Sequence, residues 1–207
     1  MFHSGHSRAE HHVIRMTGTD ADAALRVMKL RILAETARAM ATGMTNVALG
    51  RALPSTVTLR PGDPAPLFEL QASDGVTYRL TDFIGRKPVV IAWFPKAFTG
   101  GCTAECRSLA AHNSAAPRSN VQYFGASVDT PQVNAEFAGA LGLTFPILSD
   151  PERTVARAYG VLGSSGFASR WTFYIAADGR IVDIDKHVRV TSHGGDVVAR
   201  LKELGIS

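Results

Sequence analysis

The chain has 207 residues, of which 45% are hydrophobic and 19% are charged, and its formal net charge is +4. This length suffices for one domain with a full core plus an appendage, and no apolar run approaches the roughly 18 residues that a membrane span needs. The arginines are scattered and form no dense basic run with interleaved aromatic residues, which argues against nucleic-acid binding. We therefore expect a globular protein that neither crosses a membrane nor binds nucleic acid.

The beginning of the chain differs in composition from the rest. All five methionines and four of the seven histidines lie in residues 1–44. Residues 1–19 have no hydrophobic periodicity and are expected to be disordered, whereas residues 21–43 fit a helix. The sequence therefore predicts an N-terminal extension over residues 1–55, followed by a single domain over residues 56–207.

Charged residues interrupt the predicted N-terminal helix. Arg26, Lys29 and Glu35 break up the uncharged apolar stretch that a signal peptide or a membrane anchor would require. We therefore expect no export, and a cytoplasmic protein. Three roles stay open for the helix: docking on the domain, self-association with another copy, or contact with an anionic surface.

The first elements of the predicted domain are a hairpin and a buried strand. Residues 67–71 and 76–80 flank the turn sequence Ala72-Ser73-Asp74-Gly75, which predicts a hairpin with Gly75 at a positive φ. Residues 89–94 form an unbroken apolar run, which is typical of a strand that is buried on both faces.

Helices and strands alternate after this strand. Thr130-Pro131 and Asp150-Pro151 each place a capping residue before a proline, which is the pattern of a helix start, and Ala177-Asp178-Gly179-Arg180 indicates a second hairpin. Successive βαβ units imply parallel pairing, and the last hairpin implies antiparallel pairing. We therefore predict an α/β fold with a central mixed sheet flanked by helices. The remaining elements are helices at about 103–111, 131–141, 151–159 and 196–204, and strands at 121–128, 171–176 and 181–185.

Both cysteines of the chain lie in one short segment after the buried strand. Cys102 and Cys106 are too close in sequence for a framework of long-range disulfides, which favours catalysis or metal binding. Cys102 falls at a predicted helix start, where unpaired N–H groups and a partial positive charge favour the thiolate. In open α/β sheets, reactive groups lie beyond the carboxyl ends of central strands, and this segment is at such a place. Cys102 is therefore a candidate for redox chemistry.

The residues around Cys102 match a known motif. Pro95-x3-Thr99-x2-Cys102 resembles the active-site motif of the peroxiredoxins, thiol peroxidases that have a thioredoxin-like fold. The chain is most similar to their Q-type branch, also called bacterioferritin comigratory proteins, over roughly residues 57–204. The segments that carry this similarity are Phe94-Pro95-Lys96, Gly101-Cys102-Thr103-x-Glu105, Gly62-Asp63-x-Ala65-Pro66 and Arg170-x-Thr172-Phe173.

The resemblance implies a role for each of these polar residues. Cys102 would be the peroxidatic cysteine, whose thiolate attacks the peroxide O–O bond and becomes a sulfenic acid. Thr99 would hydrogen-bond the peroxide oxygens, and Pro95 would shield the sulfur from water. Arg170 would favour the thiolate and stabilise the charge that develops as the O–O bond breaks, and Glu105 would orient an arginine.

Cys106 is the residue at which the chain departs from the Q-type pattern. The resolving cysteine of that branch, where present, most often lies five residues after the peroxidatic one, whereas Cys106 follows Cys102 by four. On an intact helix the Cβ atoms of such a pair are about 5–6 Å apart, and a disulfide needs about 3.8 Å. We therefore expect Cys106 to resolve only if the first helical turn unwinds. The other interpretation is a small buried hydrophobic residue.

The resemblance also implies the substrate and the partner. Hydrogen peroxide or a small organic hydroperoxide would be reduced, thioredoxin or a similar dithiol donor would return the electrons, and no metal or organic cofactor would be required.

An alternative function uses the same two cysteines. Cys102-x3-Cys106 with a downstream His193 or His187 is similar to the thioredoxin-fold copper chaperones of cytochrome oxidase assembly, because two thiolates and an imidazole suit copper. That family normally carries a proline after the first cysteine, where this chain has Thr103. A protein of the same fold that only binds a partner is a third interpretation.

Overall fold

The structure is a computed structural model of the chain, and it describes residues 57–115 and 120–206. The predicted disordered start at 1–19 and the predicted helix at about 21–43 lie outside the described residues, so the boundary near residue 56 stays a prediction. In the described ranges, no helix combines the length and the apolar character that a membrane span requires.

The described part of the chain contains seven strands and four α-helices. The strands are β1 (Glu69–Gln71), β2 (Thr77–Arg79), β3 (Val89–Trp93), β4 (Gln122–Ser127), β5 (Ile147–Ser149), β6 (Thr172–Ile175) and β7 (Ile181–Asp185). The helices are α1 (Gly100–Ala115), α2 (Pro131–Leu141), α3 (Thr154–Ala158) and α4 (His193–Glu203), and a 3-10 turn spans Leu80–Asp82.

Five of these strands form one mixed sheet in the order β5-β4-β3-β6-β7. The pairs β3/β4 and β4/β5 are parallel, whereas β3/β6 and β6/β7 are antiparallel. The predicted α/β fold with a mixed sheet is therefore confirmed. The predicted first hairpin forms a separate antiparallel pair, β1/β2, and Gly75 has the expected positive φ of 83°.

The middle strand β3 is buried on both faces, as its apolar run predicts. Its alternate side chains contribute to two different hydrophobic cores because successive residues of a strand point to opposite faces. Val89, Ile91 and Trp93 belong to one core, and Val90 and Ala92 belong to the other, which also holds residues of α1 and α4. The carboxyl end of β3 therefore delivers the next loop to a central position above the sheet.

Several element boundaries differ from the predicted ones for local reasons. Helix α1 begins at Gly100 rather than Thr103, which brings Cys102 inside the helix. Helix α3 begins at Thr154 rather than near residue 151, because the Asp150 carboxylate accepts hydrogen bonds from the amides of Thr154 and Ala156 and caps the helix from farther back.

Two further differences concern the ends of the sheet and the chain. Helix α4 begins at His193, three residues before the predicted start at Asp196. Strand β5 was not predicted, since its three residues are too few to show a period.

Candidate active site

Cys102 lies in the first turn of α1, directly after the loop that leaves β3. The amide of Thr103 donates to the carbonyl of Thr99 at 2.9 Å, which closes the first turn of the helix around the cysteine. The Cys102 side chain is only 1% exposed and belongs to a small apolar cluster with Phe94 and Phe137. The thiol of Cys102 therefore lies at the N-terminal end of a helix, as expected from the sequence.

Arg170 connects this sulfur to a buried carboxylate. Its Nη2 atom lies 3.4 Å from Cys102 Sγ, and its Nη1 atom donates to Glu105 Oε2 in an ion pair. An added Cβ at Gly101 would lie 3.4 Å from Nη2, which is an ordinary contact, so the guanidinium group packs directly against the first turn of α1.

Strand pairing explains why these distant residues meet. Strand β6 runs antiparallel to β3, and the amide of Trp93 donates to the carbonyl of Trp171 at 2.9 Å. The point where the chain enters β6, next to Arg170, therefore lies beside the point where it leaves β3. The loop to Cys102 starts at that same point.

Behind Arg170 the carboxylate of Glu105 has a second neighbour, His193. Oε1 of Glu105 lies 3.0 Å from His193 Nδ1, a hydrogen-bond distance at which the N–H is poorly aligned with the oxygen. The other ring nitrogen, Nε2, lies 2.8 Å from Thr172 Oγ1. Glu105, His193 and Thr172 are all at most 1% exposed, so these contacts are shielded from water.

The imidazole of His193 is neutral in this environment. The pKa of His193 is lowered to about 4, mainly by burial and to a smaller extent by the nearby Arg170, while Asp185 and Asp196 act in the opposite direction. The contact with Glu105 is therefore a close polar contact of a neutral ring rather than an ion pair.

The loop between β3 and α1 is fixed by a buried aspartate that follows β4. Asp129 accepts a hydrogen bond from the amide of Ala97 at 2.8 Å, and its Oδ1 atom lies 2.6 Å from Lys96 Nζ. Thr99 is exposed and donates to the Lys96 carbonyl at 3.0 Å, and Pro95 is half-buried at the loop entry. The sequence analysis missed Asp129, although an aspartate that ends an apolar strand was an available signal.

Cys106 lies one helical turn after Cys102, in the same apolar cluster. Its side chain has no exposed surface, and burial, together with the neighbouring Cys102, raises the pKa of its thiol far above the usual range. Both cysteines are free thiols, and α1 is continuous through both of them. A disulfide between the two would therefore require the helix to open.

The chain resembles known peroxidases in sequence and in fold. Residues 61–184 match the AhpC/TSA family. Peroxiredoxin Bcp of Escherichia coli K12 is 34% identical over 152 residues, which cover 70% of this chain and 97% of that protein.

Solved structures agree with this similarity. The crystal structure of peroxidoxin BcpB from Mycobacterium tuberculosis has a TM-score of 0.64 and 29% identity, and covers 71% of this chain and 99% of its own. The structure of a bacterioferritin comigratory protein from Xanthomonas campestris has a TM-score of 0.62 and 26% identity. The match covers 66% of this chain and 91% of that protein.

A mixed sheet that carries a thiol at a helix start, beside an arginine, is the arrangement of a thiol-dependent peroxidase with a thioredoxin-like fold. The chain belongs to the AhpC/TSA family, and its relatives are peroxiredoxins of the Bcp type. The predicted family, fold and peroxidase activity are therefore confirmed. Membership of the family also implies a peroxide substrate and a thiol reductant.

The copper-chaperone alternative is not supported. Within residues 57–115 and 120–206, no group of three His, Cys, Asp or Glu side chains could hold a metal ion. The proposed ligand His193 contacts Glu105 and Thr172, and His187 is exposed. The resemblance rested on spacing alone, and the fold directs the imidazole to a carboxylate instead.

Proposed function

We propose that this enzyme reduces hydrogen peroxide and small organic hydroperoxides at Cys102, with thioredoxin or a similar dithiol as the electron donor. One observation carries the proposal: the guanidinium of Arg170 lies 3.4 Å from Cys102 Sγ and is held in place by Glu105. A fixed positive charge at this distance stabilises the negative charge that develops as the peroxide O–O bond breaks. The related Xanthomonas campestris protein, described for alkyl peroxide reduction, supports organic hydroperoxides as substrates.

In the first step the Cys102 thiolate attacks the terminal oxygen of the peroxide. An S–O bond forms, the O–O bond breaks, and the sulfur is oxidised to a sulfenic acid. The leaving hydroxide or alkoxide takes a proton from water. Arg170 stabilises the negative charge on the peroxide oxygens as they separate, Thr99 hydrogen-bonds the peroxide, and Pro95 limits the access of water to the sulfur.

In the second step Cys106 resolves the sulfenic acid. The first turn of α1 unwinds, the Cys106 sulfur attacks the Cys102 sulfur, an S–S bond forms, and the oxygen leaves as water. The dithiol donor then supplies two electrons and two protons that restore both thiols. Unwinding also removes Cys106 from the apolar cluster that suppresses its ionisation, so the same motion activates the second nucleophile.

A coupled peroxidase assay with thioredoxin and its reductase tests these roles. Cys102→Ser is expected to abolish turnover, and Cys106→Ser is expected to stop turnover with thioredoxin while the first oxidation of Cys102 continues. Peptide mass spectrometry after one equivalent of peroxide is expected to show a Cys102–Cys106 disulfide. Activity that survives Cys102→Ser would overturn the proposal, and a lasting sulfenic acid with Cys106 untouched would remove the resolving role.

We also propose that the protein associates with itself through the N-terminal helix at about 21–43 and that it is located in the cytoplasm. Both rest on the sequence of that segment. Light scattering of the full chain, compared with a chain that starts at residue 56, tests the first, because equal masses would exclude self-association through the extension.

A further inference from the structure

His193 is the buried one of the three histidines in the described ranges, and the peroxidase steps above do not use it. Its ring lies between Glu105 Oε1, at 3.0 Å, and Thr172 Oγ1, at 2.8 Å. Thr172 follows Arg170 by two residues, and Arg170 binds the other oxygen of Glu105. Three side-chain contacts and the backbone between Arg170 and Thr172 connect these four residues beside Cys102, and we call the set the carboxylate ring.

We propose that His193 is a positioning residue, which fixes the carboxylate of Glu105 and thereby holds the Arg170 guanidinium against Cys102 Sγ. This inference rests on the proposed roles of Cys102 and Arg170. A carboxylate held by one oxygen can still rotate, whereas partners on both oxygens define its plane. The position of Arg170 follows from that plane because its Nη1 atom is bound to Glu105 Oε2.

The chemistry of the ring determines the tautomer of His193. A carboxylate can only accept hydrogen bonds, so the nitrogen that faces Glu105, Nδ1, must carry the proton. In a neutral ring the other nitrogen, Nε2, then accepts, and the hydroxyl of Thr172 must be the donor. Thr172 therefore selects the tautomer that Glu105 requires.

The backbone leaves His193 little freedom to move away from Glu105. The amide of Gly194 donates to Ser108 Oγ at 3.0 Å, so the start of α4 is bound to α1 directly beside His193. An added Cβ at Gly194 would come within 2.1 Å of the Ser108 carbonyl oxygen, which shows how closely the two helices approach. Glu105 and Ser108 lie on the same helix, so this contact also fixes the distance between His193 and the carboxylate.

Two amide substitutions separate a positioning role from a packing role. The side-chain nitrogen of Asn can take the place of Nδ1, which donates, and the side-chain oxygen of Gln can take the place of Nε2, which accepts. His193→Asn should therefore still donate to Glu105, whereas His193→Gln should contact only Thr172. His193→Leu removes both contacts, and His187→Asn is the matched control because His187 is exposed.

The test measures two rates for each variant at one pH: oxidation of Cys102 by hydrogen peroxide and alkylation of Cys102 by iodoacetamide. We expect peroxide oxidation to fall about 10- to 100-fold in His193→Gln and His193→Leu, since misplaced catalytic groups cost rates of this order. We expect His193→Asn to stay within about threefold of wild type, and His187→Asn to be unchanged. Alkylation should not accelerate in any variant.

The opposite results would overturn the positioning role. If His193 only fills space, the variants loosen the fold, alkylation of the buried Cys102 and Cys106 accelerates, and Asn and Gln behave alike. Equal peroxide rates in wild type and His193→Gln would also overturn it.

Arg170→Ala in the same series separates this inference from the proposed function. If peroxide oxidation is slow in Arg170→Ala but normal in the His193 variants, the positioning role of His193 is overturned and the proposed role of Arg170 stands. Normal peroxide rates in Arg170→Ala would overturn the proposed role of the arginine. If the inference holds, adding His193→Gln to Arg170→Ala causes no further loss, because His193 acts through Arg170.

Discussion

The side chain of Arg170 serves two partners at once, and this is what an arginine provides. The guanidinium group is planar, so its Nη1 atom can bind Glu105 while its Nη2 atom faces Cys102 Sγ. The orientation of the charge towards the sulfur is therefore coupled to a buried carboxylate. A lysine ammonium is a single point charge and cannot bridge two such partners in this way.

Arg170→Lys tests this geometry without a change in net charge. We expect peroxide oxidation of Cys102 to slow by about 10- to 100-fold, because the cation remains but its fixed position is lost. Stopped-flow kinetics with hydrogen peroxide measures the rate. Arg189→Lys is the control, since Arg189 has a side chain that is 75% exposed. A rate for Arg170→Lys within about twofold of wild type would contradict the bridging role.

The sequence predicted the site only where a local motif describes it. Pro95, Thr99 and Cys102 lie within one short segment, so their spacing could be recognised directly. The alternative interpretation named His193 as a copper ligand and is not supported, because the relation of His193 to Glu105 depends on how α1 and α4 pack. Asp129 follows an apolar strand, which was an available signal, but its contact with the loop depends on how β4 lies beside β3.

Helix α1 faces two opposing requirements in its first two turns. It must stay folded so that Glu105 can hold Arg170, and it must unwind if Cys102 and Cys106 are to form a disulfide. The two glycines at its start, Gly100 and Gly101, weaken the folded state of this turn because glycine loses more backbone entropy than other residues.

Gly100→Ala shifts this balance towards the folded helix. An added Cβ at Gly100 meets no atom within 4 Å, so the change acts on backbone entropy alone. A gain of about 0.5–1 kcal/mol in the folded turn would slow disulfide formation about two- to fivefold. Quenched-flow mass spectrometry follows the conversion of the sulfenic acid to the disulfide, and the sulfinic acid should increase at high peroxide.

Gly139→Ala is a matched control for this change. Gly139 lies within α2, and its added Cβ also meets no atom within 4 Å. We expect this variant to be more stable but to form the disulfide at the wild-type rate. Equal slowing in both variants would show that global stability, rather than the first turn of α1, limits the reaction.

The elements of the fold were predictable where the pattern is long or strongly capped. The apolar run of β3 and the Thr130-Pro131 start of α2 gave the correct elements, and the whole span of α2 agrees. The starts of α1 and α4 were placed too late because glycines and a histidine begin them, and these residues carry weak helix signals.

The folded molecule as a whole surrounds His193 with charged groups from several elements. Glu105 faces it from α1, Arg170 from the segment before β6, Asp185 from β7 and Asp196 from α4. Burial prevails over the carboxylates and keeps the ring neutral. Protonation of the His193 ring is therefore unfavourable in the folded protein.

We predict that this burial makes the free energy of unfolding fall as the pH drops from about 6.5 to about 4. The pKa of His193 is about 4 in the folded protein and about 6.5 in the unfolded chain, so the unfolded chain binds the proton first and is favoured by acid. The contribution is on the order of 2–3 kcal/mol over that interval.

Urea unfolding at pH 7, 5.5 and about 4 measures this contribution when wild type is compared with His193→Asn. The asparagine does not titrate, so the stability difference between the two proteins should narrow as the pH falls. Parallel losses in both proteins would assign the pH dependence to other groups. His187→Asn should follow wild type throughout.

The carboxylate ring also sets the order in which a newly made chain acquires its reactivity. Arg170 follows Glu105 by 65 residues, and His193 follows Thr172 by another 21. During synthesis Cys102 therefore leaves the ribosome long before its arginine, and the arginine leaves before the helix that completes the ring. If His193 acts as proposed, the reaction of Cys102 with peroxide reaches its full rate only after α4 has docked on α1.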